Sequence, residues 1–144
     1  MSLANVFDIA GSGMNAQSLR LNTTASNIAN AQTASSSVDE VYRGRHPVFA
    51  AVYNKAMDFN ANQNSSDSEA GVQVLGVVES DAPLQPRYEP HHPMANDEGY
   101  VYYPNVNVVE EMTNMISASR SFQVNVEVMN SAKQMVQRVL TLGQ

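Results

Sequence analysis

The stretch that decides the fold is "NVNVVEEMTNMISASRSFQVNVEVMNSAKQMVQRVLTL", residues 105–142. Apolar residues recur in it at the alternating three- and four-residue spacing of the a and d positions of a coiled coil, for about four heptads. Glutamates lie in its first turns and basic residues near its end, an order that complements the helix dipole. The stretch predicts one helix roughly 55 Å long. One apolar series is Val108, Met115, Phe122, Met129 and Val136, and the companion series is Met112, Ser119, Val126, Lys133 and Leu140.

The beginning of the chain carries a matching pattern. Large apolar residues at strict seven-residue spacing predict a second helix over residues 4–31. A helix as long as the C-terminal one cannot bury its apolar face on itself. We therefore expect the two helices to pair as an antiparallel coiled coil that brings the chain ends together. The N-terminal apolar series is Phe7, Met14, Leu21 and Ile28.

The middle of the chain has a different character, because all six prolines fall between residues 47 and 104. Segments rich in Val and Tyr predict short strands there. The turn signal "NDEG" and the polar stretch "NANQNSSDSEAG" predict a tight turn and an exposed loop. The predicted strands are "VYRGRHPVFAAVY" (41–53), "VQVLGVVES" (72–80) and "YVYY" (100–103), with "RYEP" (87–90) as the hairpin partner of the last.

These elements predict an α+β chain in three segments. Residues 1–36 hold the N-terminal helix of a coiled-coil domain, and residues 105–144 hold its C-terminal helix. Residues 37–104 form a small β-rich segment with a flexible loop at 54–71, too small for a large core of its own.

The composition excludes several classes of protein. Hydrophobic residues make up 43% and charged residues 15% of the chain, against about 25% charged in typical domains. The net charge of −6 argues against nucleic acid or anionic membrane as a partner. The absence of cysteine rules out disulfides and thiolate zinc sites. No apolar run approaches the ~18 residues of a membrane span, and the N-terminus lacks the basic region of a cleavable signal.

The chain offers little for catalysis. A metal site could be built from His46, His91 and His92 with Glu89 or Asp97. A surface loop is the favoured interpretation, because "EPHHPMAND" is polar and bracketed by prolines, and adjacent side chains of an extended segment point to opposite faces. No nucleophile motif and no phosphate-binding glycine loop is present. We predict no enzymatic activity, no cofactor, no metal and no small-molecule substrate.

Methionines are prominent on the C-terminal helix. The favoured interpretation of Met112, Met115, Met129 and Met135 is a coiled-coil core, and the alternative is an adaptable binding face for partner helices. Lys133 at a core position is either a device that sets register or a side chain whose ammonium reaches solvent. The sequence leaves these two roles open.

The segment "LNTTASNIANAQT", residues 21–33, lacks the charges of an ordinary surface helix. Amides and hydroxyls can form hydrogen bonds across a contact between subunits, whereas a buried unpaired charge costs several kcal/mol. We therefore predict lateral subunit contacts at Asn22, Asn27 and Asn30.

The two ends of the chain also resemble a known family. The segment "MSLANVFDIAGSGMNAQSLRLNTTASNIANAQT" (1–33) is similar to the start of bacterial flagellar basal-body rod proteins, and "SNIANAQT" is shared by rod, hook and related axial proteins. The segments "GYVYYPNVNVVEEM" (99–112) and "SASRSFQVNVEVMN" (117–130) narrow the resemblance to a protein of the proximal rod.

The resemblance implies a structural subunit of the periplasmic rod, exported unfolded through the flagellar type III channel, that transmits torque. It implies as partners other rod proteins, the adaptor joining the rod to the membrane ring, the export gate, and further copies in a helical assembly. A soluble helical adaptor that binds partners through its Met-rich face is the alternative. The terminal helices look like the family's inner coiled-coil domain. The expected intersubunit and coiled-coil seam is Phe7, Met14, Leu21, Ile28, Met112, Met115, Phe122, Val126, Met129, Val136 and Leu140.

Overall fold

The computed structural model describes residues 3–53 and 70–142 of the chain. Two long helices flank four strands, so the predicted α+β class and the predicted helices at both ends are confirmed. Most of the predicted loop at 54–71 lies outside the described residues, and its last two residues belong to a strand. The elements are α1 (Leu3–Asn30), β1 (Arg45–Tyr53), β2 (Ala70–Glu79), β3 (Gln85–Tyr88), β4 (Tyr100–Tyr103) and α2 (Val108–Leu142).

Helix α2 begins three residues later than predicted, because Asn107 is its N-cap. The Asn107 side-chain oxygen accepts a hydrogen bond from the Val109 N–H at 3.1 Å, and its carbonyl accepts the Glu111 N–H at 3.0 Å. An asparagine at this position satisfies N–H groups that have no partner within the helix. Glu110 and Glu111 lie in the first turn, where the helix dipole favours negative charge.

The strands form two separate two-stranded sheets, β1 with β2 and β3 with β4. The β3–β4 hairpin is antiparallel, with Gln85 opposite Tyr103 and Tyr88 opposite Tyr100. The predicted pairing of these segments is confirmed, although β3 begins two residues before "RYEP". Strand β1 begins at Arg45, later than predicted, because the residues before it are held by side-chain hydrogen bonds described below.

The turn predicted at "NDEG" is also confirmed. Gly99 has a φ of 81°, a conformation that favours glycine. A Cβ atom on Gly99 would lie 2.9 Å from Cε2 of Tyr88. The Asn96 side-chain oxygen accepts the Tyr100 N–H at 2.8 Å and the Glu98 N–H at 3.1 Å, which fixes the turn that leads into β4.

The outer edge of β3 has a proline at a position that faces away from β4. Tyr102 exchanges both of its backbone hydrogen bonds with Ser35, at 2.9 and 3.1 Å. The backbone polar groups of Tyr102 therefore point away from β3, and those of its partner Pro86 point away from β4, because such pairs alternate along an antiparallel ladder. Proline has no N–H to present there.

The chain forms two compact units that cut across the three segments predicted from the sequence. One contains Met1–Leu19, Val48–Gly76 and Ala118–Gln144, and the other contains Arg20–Pro47 and Val77–Ser117. Each unit draws on both helices and on the strands. The division at 1–36, 37–104 and 105–144 stays a prediction.

Small or polar residues make up most of the buried positions of each unit. The buried apolar side chains of the first unit include Ala10, Ala16, Ala118 and Ala132. The second unit buries two valines, at positions 41 and 101, together with polar groups. Alanine gives little apolar area, but it lets backbones approach closely. The buried polar residues of the second unit are Thr24, Asn27, Ser35 and Glu111.

Candidate assembly surfaces

The residues of the predicted seam are not the most buried residues of either helix. On α1 the four residues of the series are half-buried, and on α2 Met112 is 50% and Leu140 66% exposed. The remaining seam residues of α2 are half-buried, and Lys133 is exposed. The most buried positions of α2 are Glu111, Ala118 and Ala132, which share a seven-residue spacing. The heptad period is therefore present, but its most buried positions carry small or polar side chains.

Large apolar side chains remain exposed along α2, and we call them the outer ridge. In the second unit the ridge residues are three or four positions apart, and in the first unit they are four or seven positions apart. Arg120 is an exposed residue between the two stretches. A lone exposed valine is ordinary, whereas a sustained stripe marks an interaction surface. The ridge residues are Val109, Met112, Ile116, Val124, Val128, Met135 and Val139.

Glycine and serine in "AGSGM" allow two close contacts on α1 within the first unit. A Cβ atom on Gly13 would lie 2.9 Å from Nδ2 of Asn125, so the absence of a side chain lets Asn125 of α2 approach. The Ser12 hydroxyl accepts the Val72 N–H at 3.1 Å, and a Cβ on Gly71 would lie 2.8 Å from that hydroxyl. This segment is thus a packing site.

In the second unit a polar contact joins the two helices. The Arg20 guanidinium donates a hydrogen bond to the side-chain oxygen of Asn114 at 2.9 Å. Arg20 is half-buried, and a charge-assisted hydrogen bond is stronger than a neutral one. This contact supplies direction and register instead of apolar burial.

The three asparagines of "LNTTASNIANAQT" have three different environments. Asn27, one of the predicted lateral contacts, is 0% exposed in the single chain and is bonded within its own chain. Asn30 is half-buried and donates to the Ser26 carbonyl of its own helix at 2.8 Å. Asn22 is exposed, and its side chain makes no hydrogen bond to the residues that the structure describes.

The Asn27 carboxamide joins the end of α1 to the start of β1. Its amide donates to the Arg45 carbonyl at 2.8 Å, and its oxygen accepts the Arg45 N–H at 2.9 Å. The same oxygen accepts the Tyr42 hydroxyl at 2.8 Å. A buried carboxamide with these partners is well satisfied.

A second asparagine holds the residue before Arg45. The Asn105 side-chain oxygen accepts the Gly44 N–H at 2.8 Å. Its amide donates to the carbonyls of Ser80 at 3.1 Å and Ala82 at 2.8 Å. These bonds connect the segment before α2 with the residues that follow β2.

An open cavity of about 390 Å³ lies in the second unit, beside the exposed Asn22. Arg45 and Glu79 form an ion pair on its wall at 3.0 Å, and the Arg45 guanidinium lies 5.4 Å from the centre of the Tyr42 ring. Both charged side chains are about half exposed, so the pair is a minor source of stability. The cavity is lined by Asn22, Thr23, Ser26, Arg45, Val77 and Glu79.

The β3–β4 hairpin carries the one resolved pKa shift in the described chain. The Tyr103 hydroxyl donates to Oε2 of Glu89 at 3.2 Å. Desolvation raises the pKa of Tyr103, and the hydrogen bond to the Glu89 carboxylate and its charge raise it further. Arg87, whose guanidinium lies 4.6 Å from the Tyr103 ring centre, opposes this shift.

The histidines do not meet in a metal centre. Among residues 3–53 and 70–142, no group of three or more His, Asp or Glu side chains is placed to hold a metal ion. The Nδ1 atom of His92 instead accepts the Met94 N–H at 3.1 Å. Within the same ranges, no helix is long and apolar enough to cross a membrane.

The sequence interpretation missed the hydrogen-bonding role of Asn105, which lies outside the helices. Asn105 was placed inside the predicted helix because the apolar pattern continues through Val106 and Val108. The signal that could have located it is the repeated asparagine after Pro104: a proline followed by Asn-Val-Asn favours a turn and a cap before a helix begins.

The chain matches two families of flagellar rod proteins, one towards each end. Residues 7–34 match the family "Flagella basal body rod protein". Residues 97–142 match the family "Flagellar basal body rod FlgEFG protein C-terminal". These ranges correspond to most of α1 and to β4 with α2, so the terminal helices are those of a flagellar basal-body rod protein.

Relatives of full length define the family further. The flagellar basal-body rod protein FlgC of Escherichia coli is 47% identical over 144 residues, which cover 100% of both chains. FlgC of Salmonella typhimurium is 46% identical over the same full lengths. FlgC of Borreliella burgdorferi is 35% identical over 151 residues, covering 100% of this chain and 99% of the relative. The chain belongs to the FlgC family of flagellar basal-body rod proteins.

Proposed function

We propose that the two terminal helices build this chain into the flagellar rod and that the outer ridge of α2 is its main contact with neighbouring subunits. The chain is a structural subunit of the flagellar basal-body rod and serves motility. The observation that carries this conclusion is the 46–47% identity to FlgC proteins over the whole chain. These relatives give no support to the alternative of a soluble helical adaptor.

Antiparallel pairing of α1 and α2 is the arrangement that we favour for the helices. One compact unit combines the first residues of α1 with the last part of α2, and the other combines the end of α1 with the start of α2. Gly13 approaches Asn125 in the first unit, and Arg20 bonds to Asn114 in the second. Each of these contacts, taken within its own unit, supports the proposed antiparallel pairing.

The contacts between subunits are proposed to use the large apolar side chains that the chain leaves uncovered. Ile116 is 55% exposed, and Met112 and Leu140, both in the predicted seam, are at least as exposed. Burial of such side chains is worth roughly 1.5–3 kcal/mol each when complete. An isolated chain does not gain this free energy. It is gained when subunits assemble and cover these side chains.

Asn22 remains a proposed lateral contact, because it is exposed and lines an open cavity. The Asn22 amide, two hydroxyl side chains and the Arg45–Glu79 ion pair around this cavity suit polar, uncharged side chains of a neighbour. Asn30 is a weaker candidate, since its amide is already bonded to its own helix.

The remaining features are inferred from the family. We infer a mechanical role without catalysis, a place in the periplasmic rod, torque transmission, and export through the type III gate. Contacts with the adaptor between rod and membrane ring belong to the same inference. Its support is that the relatives are named rod proteins.

Complementation of a deletion strain tests the proposal. Deletion of the gene should abolish swimming, and the intact chain should restore it. Cryo-electron microscopy of isolated basal bodies should then show the chain in the rod with α2 in contact with neighbouring subunits. A deletion strain that swims normally would overturn the structural role, and a rod whose α2 ridge faces solvent would overturn the proposed contact surface.

A further inference from the structure

Two neighbouring residues at the start of β1 are held by asparagines from distant parts of the chain. Asn27 lies near the end of α1 and binds both backbone polar groups of Arg45, at 2.8 and 2.9 Å. Asn105 lies just before α2 and accepts the Gly44 N–H at 2.8 Å. We call Gly44, Arg45 and Ser80 the hairpin root, because they flank the open end of the β1–β2 hairpin.

The second carboxamide closes the other side of the hairpin root. Asn105 donates to the Ser80 carbonyl at 3.1 Å, while the Ser80 N–H donates to the Gly44 carbonyl at 2.7 Å. Arg43 also donates to the Ser80 carbonyl, at 3.3 Å. Each of the two chain segments at the root is therefore bonded to the same asparagine and to the other segment.

These bonds form one connected network within the second unit. Gly44 and Arg45 share a peptide group, so a shift that breaks the Asn27 bonds also moves the Gly44 carbonyl that receives the Ser80 N–H. Two residues of the network are poorly accessible to water, because Asn27 is fully buried and Gly44 is buried. Hydrogen bonds that share groups in a buried network are lost together more readily than separate ones.

We propose that Asn27 and Asn105 act as a single latch, by which the end of α1 and the segment before α2 together order the hairpin root. The latch closes when both helix ends are folded, and it opens when either frays. A neighbour that binds one of these helix ends thereby changes the order of the hairpin root, which is a conformational coupling inside the subunit. This last consequence rests on the proposed role in rod assembly.

Isosteric substitution of the asparagines breaks the latch at chosen atoms. Asn27→Asp removes the donor to the Arg45 carbonyl, and Asn105→Asp removes the donors to the carbonyls of Ser80 and Ala82. Asn15→Asp is the matched control, because it adds the same charge on α1 at an exposed side chain of the other compact unit, without a side-chain bond to the described residues. Amide hydrogen exchange by NMR on the purified full chain reads the outcome residue by residue.

The decisive measurement is the effect of each substitution on the partners of the other asparagine. Asn27→Asp should speed exchange of the Gly44 and Ser80 amides about tenfold, and Asn105→Asp should do the same at Arg45, the size expected for residues in one network. The double variant should add little to either single one. The Asn15→Asp chain should match the unsubstituted protein at all three amides.

Effects confined to each asparagine's own partners, or strictly additive effects in the double variant, would overturn the latch. If Asn27→Asp unfolds α1 by circular dichroism, Tyr42→Phe gives the same test with a milder change, because it removes only the hydroxyl that donates to Asn27. An unchanged Gly44 amide in Tyr42→Phe would then count against the proposal. Swimming by a strain carrying the intact chain tests rod function separately, so failure of the latch leaves that role standing.

Discussion

The inner and outer surfaces of α2 carry side chains in the opposite arrangement from that of an ordinary soluble helix. The inner positions Ala118 and Ala132 are almost completely buried, whereas Ile116 and Val124 are 55% and 57% exposed. A soluble helix places its large apolar side chains inside and its small or polar ones outside. Here small residues are buried within the subunit, and large ones remain uncovered.

This difference indicates which contacts are made first and which are made last. Alanine and asparagine contacts give the single chain direction and register at a modest gain in stability. Under the proposed function, the large apolar residues stabilise a later state, in which neighbouring subunits cover them.

A charge placed on the outer ridge is the most severe test of this difference between the two surfaces of α2. Ile116→Glu should leave the unfolding free energy of the single chain within about 0.5 kcal/mol, since the side chain is largely exposed. In the assembled rod a buried, unpaired carboxylate costs several kcal/mol per contact, so swimming should be lost. Swimming assays and basal-body preparations of complemented strains measure the outcome.

The control for that variant is Gln134→Glu, which adds the same charge at an exposed polar position of α2. This strain should swim normally. If both variants swim alike, the outer ridge does not face a subunit.

The next largest effect is expected at a buried alanine. Ala118→Leu should destabilise the single chain by about 1–3 kcal/mol through overpacking, because Ala118 is 0% exposed. Val124→Leu, on the outer surface, should leave stability unchanged within about 0.5 kcal/mol. Urea unfolding followed by circular dichroism compares the two chains. Equal stabilities would show that the small inner residues are not tightly packed.

A smaller effect should separate two glycines of α1. Gly11→Ala should stabilise the chain by roughly 0.5–1 kcal/mol, since nothing lies within 4 Å of the added Cβ. Gly13→Ala should gain less or lose stability, because its Cβ would meet the Asn125 side chain at 2.9 Å. Thermal unfolding of both variants provides the comparison, and a larger gain at Gly13 would contradict close approach of α2.

The smallest effect concerns pH and the hairpin. The pKa of Tyr103 is raised above its usual value of 10.0, so the folded state favours the neutral phenol. The associated stabilisation is present below pH 10 and is lost as the pH rises through the higher pKa of the folded chain. NMR titration of labelled tyrosine should show Tyr103 ionising last, and Glu89→Gln should lower its pKa. If the pKa of Tyr103 were not raised, the result would contradict the interaction between Tyr103 and Glu89.

Sequence patterns predicted most elements because these depend on local chemistry. The heptad spacing located both helices, and "NDEG" located the turn at Gly99 because that backbone conformation favours glycine. The β3–β4 pairing followed from the same turn. The start of α2 was placed too early, since Asn105 continues an apolar pattern while its side chain binds Gly44, far away in sequence.

The candidate surfaces were harder to predict, because burial depends on what else packs against a helix. Met112 and Ala118 are both compatible with a heptad, and the sequence favoured the larger side chain for the seam. The structure buries the alanine. Asn27 and Asn22 are alike in the sequence, and only the position of Arg45 makes one an internal hydrogen-bonding group and leaves the other at the surface.

The proline on the outer edge of β3 has a consequence for chains that are crowded together. An exposed strand edge is a template on which a second copy can add its own strand, the usual beginning of aggregation. Pro86 offers no N–H at the position facing outward, so two hairpins cannot extend a common ladder there. For subunits held at high local concentration beside one another, this edge therefore disfavours strand-to-strand association between hairpins.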